Sequence, residues 1–109
     1  MSIEREQQWI TSEEFGRERR RLIEAGVPDD APEFKALYER MRERNEHFFE
    51  LYGRPYLATH PNKWIAIAFD GRALIRERSV DALRDGQKQF GHGNFFTRKL
   101  NDFGGHLLL

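Results

Sequence analysis

The chain has 109 residues, and its 18 lysines and arginines balance 18 aspartates and glutamates, so the formal net charge is zero. This balance argues against nucleic acid as a partner, and the lack of cysteine excludes disulfides and thiolate sites. The longest uncharged apolar run, Trp64–Phe69, is far shorter than the roughly 20 residues that cross a bilayer. We therefore expect a cytoplasmic protein of one domain, residues 1–109, without a membrane span.

The first part of the chain, residues 1–54, is predicted to be helical. Thr11 and Glu14 have the spacing of a capping box at the start of a first helix. A second helix is predicted after Asp30, its N-cap, with Pro32 in the first turn, and runs to about Tyr52 over a length of about 33 Å. Apolar side chains recur along it at helical spacing, namely Phe34, Leu37, Tyr38, Met41, Phe48 and Tyr52.

The second part, residues 60–109, is predicted to form a ββαβ unit. After a linker over residues 56–62, Asp70-Gly71 is the two-residue turn signal of a β-hairpin. The strand before that turn is apolar on both faces, which is typical of a central strand covered on two sides. Ser79 is predicted to cap a third helix. One face of this helix carries Val80, Leu83, Gln87 and Phe90.

The order of these elements predicts an α+β fold, in which an N-terminal two-helix segment precedes the ββαβ unit. A last strand over residues 94–100 is expected to return parallel to the second strand and to lie beside the first. The predicted three-stranded sheet therefore has the order 2-1-3. We expect the third helix to cover one face of this sheet and the long second helix to cover the other.

Residues 60–67, with the sequence HPNKWIAI, precede the Asp70-Gly71 turn and a capped helix. This run resembles a small prokaryotic domain of unknown function whose strand reads H-P-x-K-W-[VI]-A and leads into a D-G hairpin. The resemblance covers about residues 60–100, and Asn62 stands where that domain usually has glycine. Glu77-Arg78 stands where a small residue is often found. The resemblance implies the fold and a small partner-dependent module, and it supplies no catalytic residue.

The chain is rich in aromatic residues, with nine Phe, three Tyr and two Trp. A helix of about 33 Å overhangs a sheet only about 15 Å wide, so its aromatic side chains either fill the core or project as an interface. We predict a non-catalytic protein-binding or accessory subunit that forms a homo-oligomer or docks on a larger assembly. The candidate binding residues are Phe48, Phe49, Tyr52, Tyr56, Leu107, Leu108 and Leu109.

Two other functions stay open at this point. The densest basic cluster would serve a nucleic-acid-binding or antitoxin-like regulator, although glutamates interleave with it. This cluster consists of Arg17, Arg19, Arg20 and Arg21. A small ligand-binding or enzymatic pocket between the sheet and the long helix would use Lys63, Asn62 and Arg54. The four histidines lack metal-ligand spacing, so we expect no metal and no cofactor.

Overall fold

The computed structural model describes residues 9–101. The chain divides into two compact units between Glu46 and His47. The helices and strands, in chain order, are α1 (Ser12–Glu24), α2 (Pro32–Phe48), a π-helical turn (Phe49–Gly53), α3 (Tyr56–Thr59), β1 (Trp64–Ala68), β2 (Ala73–Arg76), α4 (Ser79–Phe90) and β3 (Phe95–Lys99). The α+β class predicted from the sequence is confirmed.

The capping box begins α1 as the sequence predicts. The Glu14 amide donates to Thr11 Oγ1 and the Thr11 amide donates to Glu14 Oε1, each at 2.9 Å. The predicted N-cap of α2 is wrong by one residue, because the Lys35 amide donates to the Ala31 carbonyl at 3.2 Å and thereby makes Ala31 the cap. Pro32 then occupies the first helical position, where a missing amide costs nothing.

Arg44 is a buried charge on the inner face of α2, with only 3% of its surface exposed. It lies about two helical turns after Leu37 and so shares the buried face of the helix. Its Nη1 donates to the Ile10 carbonyl at 3.2 Å and to Ser12 Oγ at 3.3 Å. Burial lowers the pKa of Arg44. These bonds tie the start of α1 to α2 and satisfy a cation that would otherwise be costly to bury.

The three strands form an antiparallel sheet of order β2-β1-β3, which confirms the predicted order. Ile65 of β1 lies opposite Ile75 of β2 and Arg98 of β3. Because β1 is antiparallel to both neighbours, β3 runs parallel to β2, as expected when a helix connects them. Residues 65–68 of this central strand are at most 2% exposed. Both faces of β1 are therefore covered.

The hairpin between β1 and β2 has a three-residue loop, Phe69–Gly71, so the predicted two-residue turn is wrong. The Ala68 amide donates to the Arg72 carbonyl at 2.8 Å, and the Gly71 amide donates to the Ala68 carbonyl at 3.0 Å. Among the loop residues only Gly71 has a positive φ, of 100°. A turn closed by one such glycine is the usual three-residue hairpin. The ring of Tyr52 lies where a Cβ on Gly71 would meet it at 3.2 Å.

Helix α4 covers the face of the sheet that carries Ala66 and Ala68. Its buried residues are Ala82, Gly86 and Phe90. The helix approaches the sheet so closely that a Cβ on Gly86 would lie 2.5 Å from Cε2 of Phe95. Small residues on both elements therefore permit this packing.

Only part of the apolar face predicted for α4 is buried. Phe90 is buried, but Val80 is 54% exposed and Leu83 is 47% exposed. The close contact with the sheet selects the small residues of α4 rather than its larger aliphatic ones. The predicted cap is also wrong, since Arg78 is the N-cap, without a side-chain hydrogen bond, and Ser79 is the first helical residue.

The opposite face of the sheet, with Ile65 and Ile67, is covered by the π-helical turn. The Arg54 amide donates to the Phe49 carbonyl, five residues earlier, at 3.0 Å, which is the π-helical bond. Gly53 leaves room for this packing. A Cβ on Gly53 would lie 2.5 Å from Cδ1 of Phe49 and 2.8 Å from Cδ1 of Ile67.

The prediction of one continuous α-helix to Tyr52 is wrong. Helix α2 ends at Phe48 after 17 residues, or about 26 Å. The chain continues through the π-helical turn and Pro55 into α3, where a linker was expected. Proline has no amide to continue a helical bond pattern, so a straight helix cannot run through this point. A turn and a short helix, rather than the middle of a long rod, therefore cover this face.

Candidate protein-binding surface

Four half-buried aromatic rings, those of Phe48, Tyr52, Tyr56 and Phe69, belong to the apolar cluster over the Ile65 side of the sheet. The rings of Phe48 and Phe69 meet edge to face with centroids 5.0 Å apart. Phe48 also stacks with Tyr52 at 6.2 Å. Such offset and edge contacts stabilise aromatic pairs beyond the area that they bury. The structure therefore brings three of the predicted binding residues together and adds Phe69.

Leu51 is the most exposed large apolar residue of the π-helical turn, at 54%. It follows Phe48 by three residues, a spacing at which helical side chains are neighbours. We call Leu51 and the four half-buried rings the aromatic surface. Its members are Phe48, Leu51, Tyr52, Tyr56 and Phe69.

Charged side chains are found on the same segments as the aromatic surface and on β3. Arg54 donates from Nε and Nη2 to the two carboxylate oxygens of Glu50, at 2.8 and 2.9 Å. These bonds lower the pKa of Glu50. The guanidinium of Arg98 lies over the Phe49 ring, 3.9 Å from its centroid. An apolar centre with charged residues at its border is the usual composition of a protein interface.

The candidate binding residues have different positions. Phe48, Tyr52 and Tyr56 are half-buried, whereas Phe49 is only 2% exposed and serves the core. Its side chain is therefore inaccessible to a partner while the sheet is covered in this way. The predicted contribution of Leu107–Leu109 falls outside the described residues.

The predicted pocket residues each have a local partner. Arg54 pairs with Glu50, and Lys63 forms an ion pair with Glu77. The backbone amide of Asn62 donates to the carbonyl of Leu100, just beyond the paired ends of β1 and β3. The Arg54 pair lies within one helical turn, the Lys63 pair lies at the surface, and the Asn62 bond lies at a strand end. The pocket hypothesis stays a prediction without further support.

The basic cluster of α1 is exposed along its whole length. It comprises Arg17, Arg19, Arg20 and Arg21. Arg17 Nη1 lies 3.9 Å from a carboxylate oxygen of Glu13. Arg21 Nη2 lies 2.8 Å from a carboxylate oxygen of Glu18, which raises the pKa of Arg21. These pairs offset part of the positive field that nucleic-acid binding requires. The nucleic-acid hypothesis stays a prediction.

Two histidines within residues 9–101 make local contacts. His60 Nδ1 lies 2.9 Å from Thr59 Oγ1, and the ring of His47 packs edge-on against Phe48 with centroids 5.0 Å apart. Within residues 9–101, no group of three His, Cys, Asp or Glu side chains is placed to hold a metal ion. The helices in that same range are all too short or too polar to cross a membrane.

No protein-family model, curated protein or solved structure matches this chain. The resemblance of residues 60–100 to a small prokaryotic domain therefore stays a prediction.

Sequence reasoning missed Phe69 and Leu51 as members of this surface. The alternation of Phe69 with Ile65 and Ile67 places it on the correct face of the sheet, and this signal was available. Which helical residues reach that face depends on where the α-helix changes to the π-helical turn. Gly53 packs closely against Phe49 and Ile67 at this change, and no periodicity in the sequence reports it.

Proposed function

We propose that this protein is a cytoplasmic, non-catalytic accessory subunit that works by binding another protein through the aromatic surface. The partner is a second copy of the chain or a subunit of a larger assembly. The observation that carries the proposal is the exposure of Leu51, which is 54% exposed on the π-helical turn that also carries Tyr52 of the ring cluster. The apolar residues Leu107–Leu109 are proposed to add to the same contact.

The physical argument concerns apolar area that folding leaves in contact with water. Phe48, Tyr52, Tyr56 and Phe69 already pack against the sheet on one side, so their orientations are set before a partner arrives. Contact with a partner would remove the remaining area from water with little loss of side-chain freedom. Burial of one leucine contributes about 1.5–3 kcal/mol, and rigid aromatic rings are common among the residues that dominate binding energy.

The test is to purify the native protein with its companions, identify them by mass spectrometry and reconstitute the complex from purified components. The dissociation constant is then measured for the wild type and for Leu51→Glu. We expect Leu51→Glu to weaken binding at least about tenfold, because a charge replaces a leucine that the complex would bury. Light scattering of the isolated protein reports the case in which the partner is a second copy.

Val80→Glu is the matched control, since Val80 is also 54% exposed but lies on α4, which covers the other face of the sheet. It should leave the affinity unchanged. Circular dichroism must show both variants folded as the wild type. Equal affinities of the wild type and Leu51→Glu, or a loss confined to Val80→Glu, would refute the aromatic surface as the binding site.

A further inference from the structure

Within residues 9–101, strand β3 lies at one edge of the three-stranded sheet. The Phe69 amide donates to the Asn94 carbonyl at 3.3 Å, and the Leu100 amide donates to the Lys63 carbonyl at 2.8 Å. Even-numbered residues from 94 to 100 therefore direct their backbone groups toward β1. The amides and carbonyls of Phe95, Thr97 and Lys99 point away from the sheet. Within residues 9–101, one hydrogen bond outside the ladder engages these groups: the Asn101 amide donates to the Lys99 carbonyl at 3.1 Å.

On the other edge, β2, a charged side chain engages one of the outward carbonyls. The Ala68–Arg72 bond shows that Ala73 and Ile75 direct their backbone groups outward. Arg76 Nη1 donates to the outward carbonyl of Ile75 at 2.7 Å. Asp85 holds the same guanidinium through Arg76 Nε at 2.8 Å. A charged side chain that occupies an edge carbonyl blocks the addition of another strand.

The sequence of β3, FFTRK, is complementary to itself when two copies run antiparallel. With Thr97 opposite Thr97 of a second copy, Phe95 lies opposite Lys99 and Phe96 lies opposite Arg98. No two like charges are then opposite each other, which favours the pairing. A register centred on Lys99 would instead place two ammonium groups opposite each other. The register centred on Thr97 also uses every outward amide of the strand.

We propose that two copies of this protein associate through β3, in antiparallel register about Thr97, to form one six-stranded sheet. The proposal deepens the association function by naming a second copy as a partner. It uses a different surface from Leu51 and its neighbouring rings, so the two can fail separately.

The first test is a single substitution at each edge. Thr97→Pro removes an outward amide that β1 does not use, and Ala73→Pro removes the equivalent amide on β2, which makes it the matched control. Sedimentation equilibrium should show a wild-type dimer whose dissociation constant rises at least about tenfold in Thr97→Pro, since symmetry removes two hydrogen bonds at once. Ala73→Pro should leave it unchanged.

The second test does not depend on whether the proline variant folds. The chain has no cysteine, so Thr97→Cys introduces a single thiol. Directly opposed, hydrogen-bonded residues of antiparallel strands have Cα atoms about 5.5 Å apart, within the range that a disulfide spans. Oxidation of the folded protein should give a covalent dimer from Thr97→Cys and none from Ala73→Cys.

Three results would overturn the pairing. They are a wild type that stays monomeric at the concentrations used for NMR, a cross-link from both cysteine variants, and a cross-link from neither. The dimer could also be lost in Leu51→Glu and kept in Thr97→Pro. That result would overturn the β3 pairing and would support the aromatic surface. A dimer lost only in Thr97→Pro would support the β3 edge and count against the aromatic surface as its contact.

Discussion

Asn62 has a backbone conformation that side chains rarely adopt, with a φ of 68°. It lies just before β1, and its amide donates to the Leu100 carbonyl at 2.6 Å. The left-handed turn at Asn62 thereby extends the pairing of β1 with β3 beyond the strand ends. Asparagine tolerates this conformation better than most residues, and glycine adopts it without a steric cost.

Replacement of Asn62 tests this account. Asn62→Ala should lower the free energy of unfolding by about 1 kcal/mol, because a Cβ without a compensating side-chain hydrogen bond is strained at positive φ. Asn62→Gly should leave the stability unchanged or raise it slightly. Urea unfolding followed by circular dichroism measures both. Equal stabilities of the alanine and glycine variants would show that backbone strain at this position is unimportant.

At the scale of elements, the contact between α4 and the sheet depends on a missing side chain. Glycine inside a helix costs about 1 kcal/mol relative to alanine, so Gly86 is a weak point by propensity alone. The ring of Phe95 fills the space that a Cβ on Gly86 would need. Both residues are buried, so the ring has little freedom to move away. Packing between elements therefore outweighs the preference of the helix itself.

We expect Gly86→Ala to destabilise the protein by about 1 kcal/mol, since overpacking costs about 1–3 kcal/mol and exceeds the gain in helix propensity. Gly16→Ala in α1 is the matched control, because nothing lies within 4 Å of the added Cβ. That variant should stabilise its helix by up to about 1 kcal/mol. The shifts in the urea midpoint should thus have opposite signs, and a rise in both variants would contradict the tight contact at Phe95.

At the scale of the whole molecule, a net charge of zero is distributed as many local ion pairs. One chain of such pairs runs from Arg76 to Asp85, Arg84, Asp81 and Arg78, with distances of 2.8–3.1 Å. The hydrogen bond from Arg76, followed by that from Arg84, lowers the pKa of Asp85. Six further carboxylates share this direction of shift. They are Glu14, Glu18, Glu39, Glu50, Asp70 and Asp81.

These shifts predict a loss of stability in acid. A carboxylate whose folded pKa is lowered stabilises the protein above its unfolded pKa, and that contribution disappears as the pH falls through the folded pKa. The free energy of unfolding should therefore decline below the ordinary values of 4.5 for Glu and 3.8 for Asp. Asp85→Asn should be less stable than the wild type at about pH 7 and should approach it near about pH 2. Free energies of unfolding, measured with urea, that differ between the two proteins by the same amount at every pH would contradict this.

The sequence predicts local features where the cause is local. The capping box at Thr11 depends on residues three apart, and the central position of β1 follows from a strand that is apolar on both faces. The sheet order follows from the ββαβ succession and the handedness of crossovers. For these features the interactions that decide the structure lie within one element or one connection.

The sequence by itself therefore determined the fold class, the sheet order and the aromatic character of the candidate surface. Only the tertiary structure decided which aromatic residues face water. Close packing at Gly53 and Gly86 sets how near each covering segment approaches the sheet, and this distance buries Phe49 while leaving Leu51 and Val80 exposed. Spacing along the chain reports the direction of a side chain, whereas burial depends on the atoms that a distant segment brings against it.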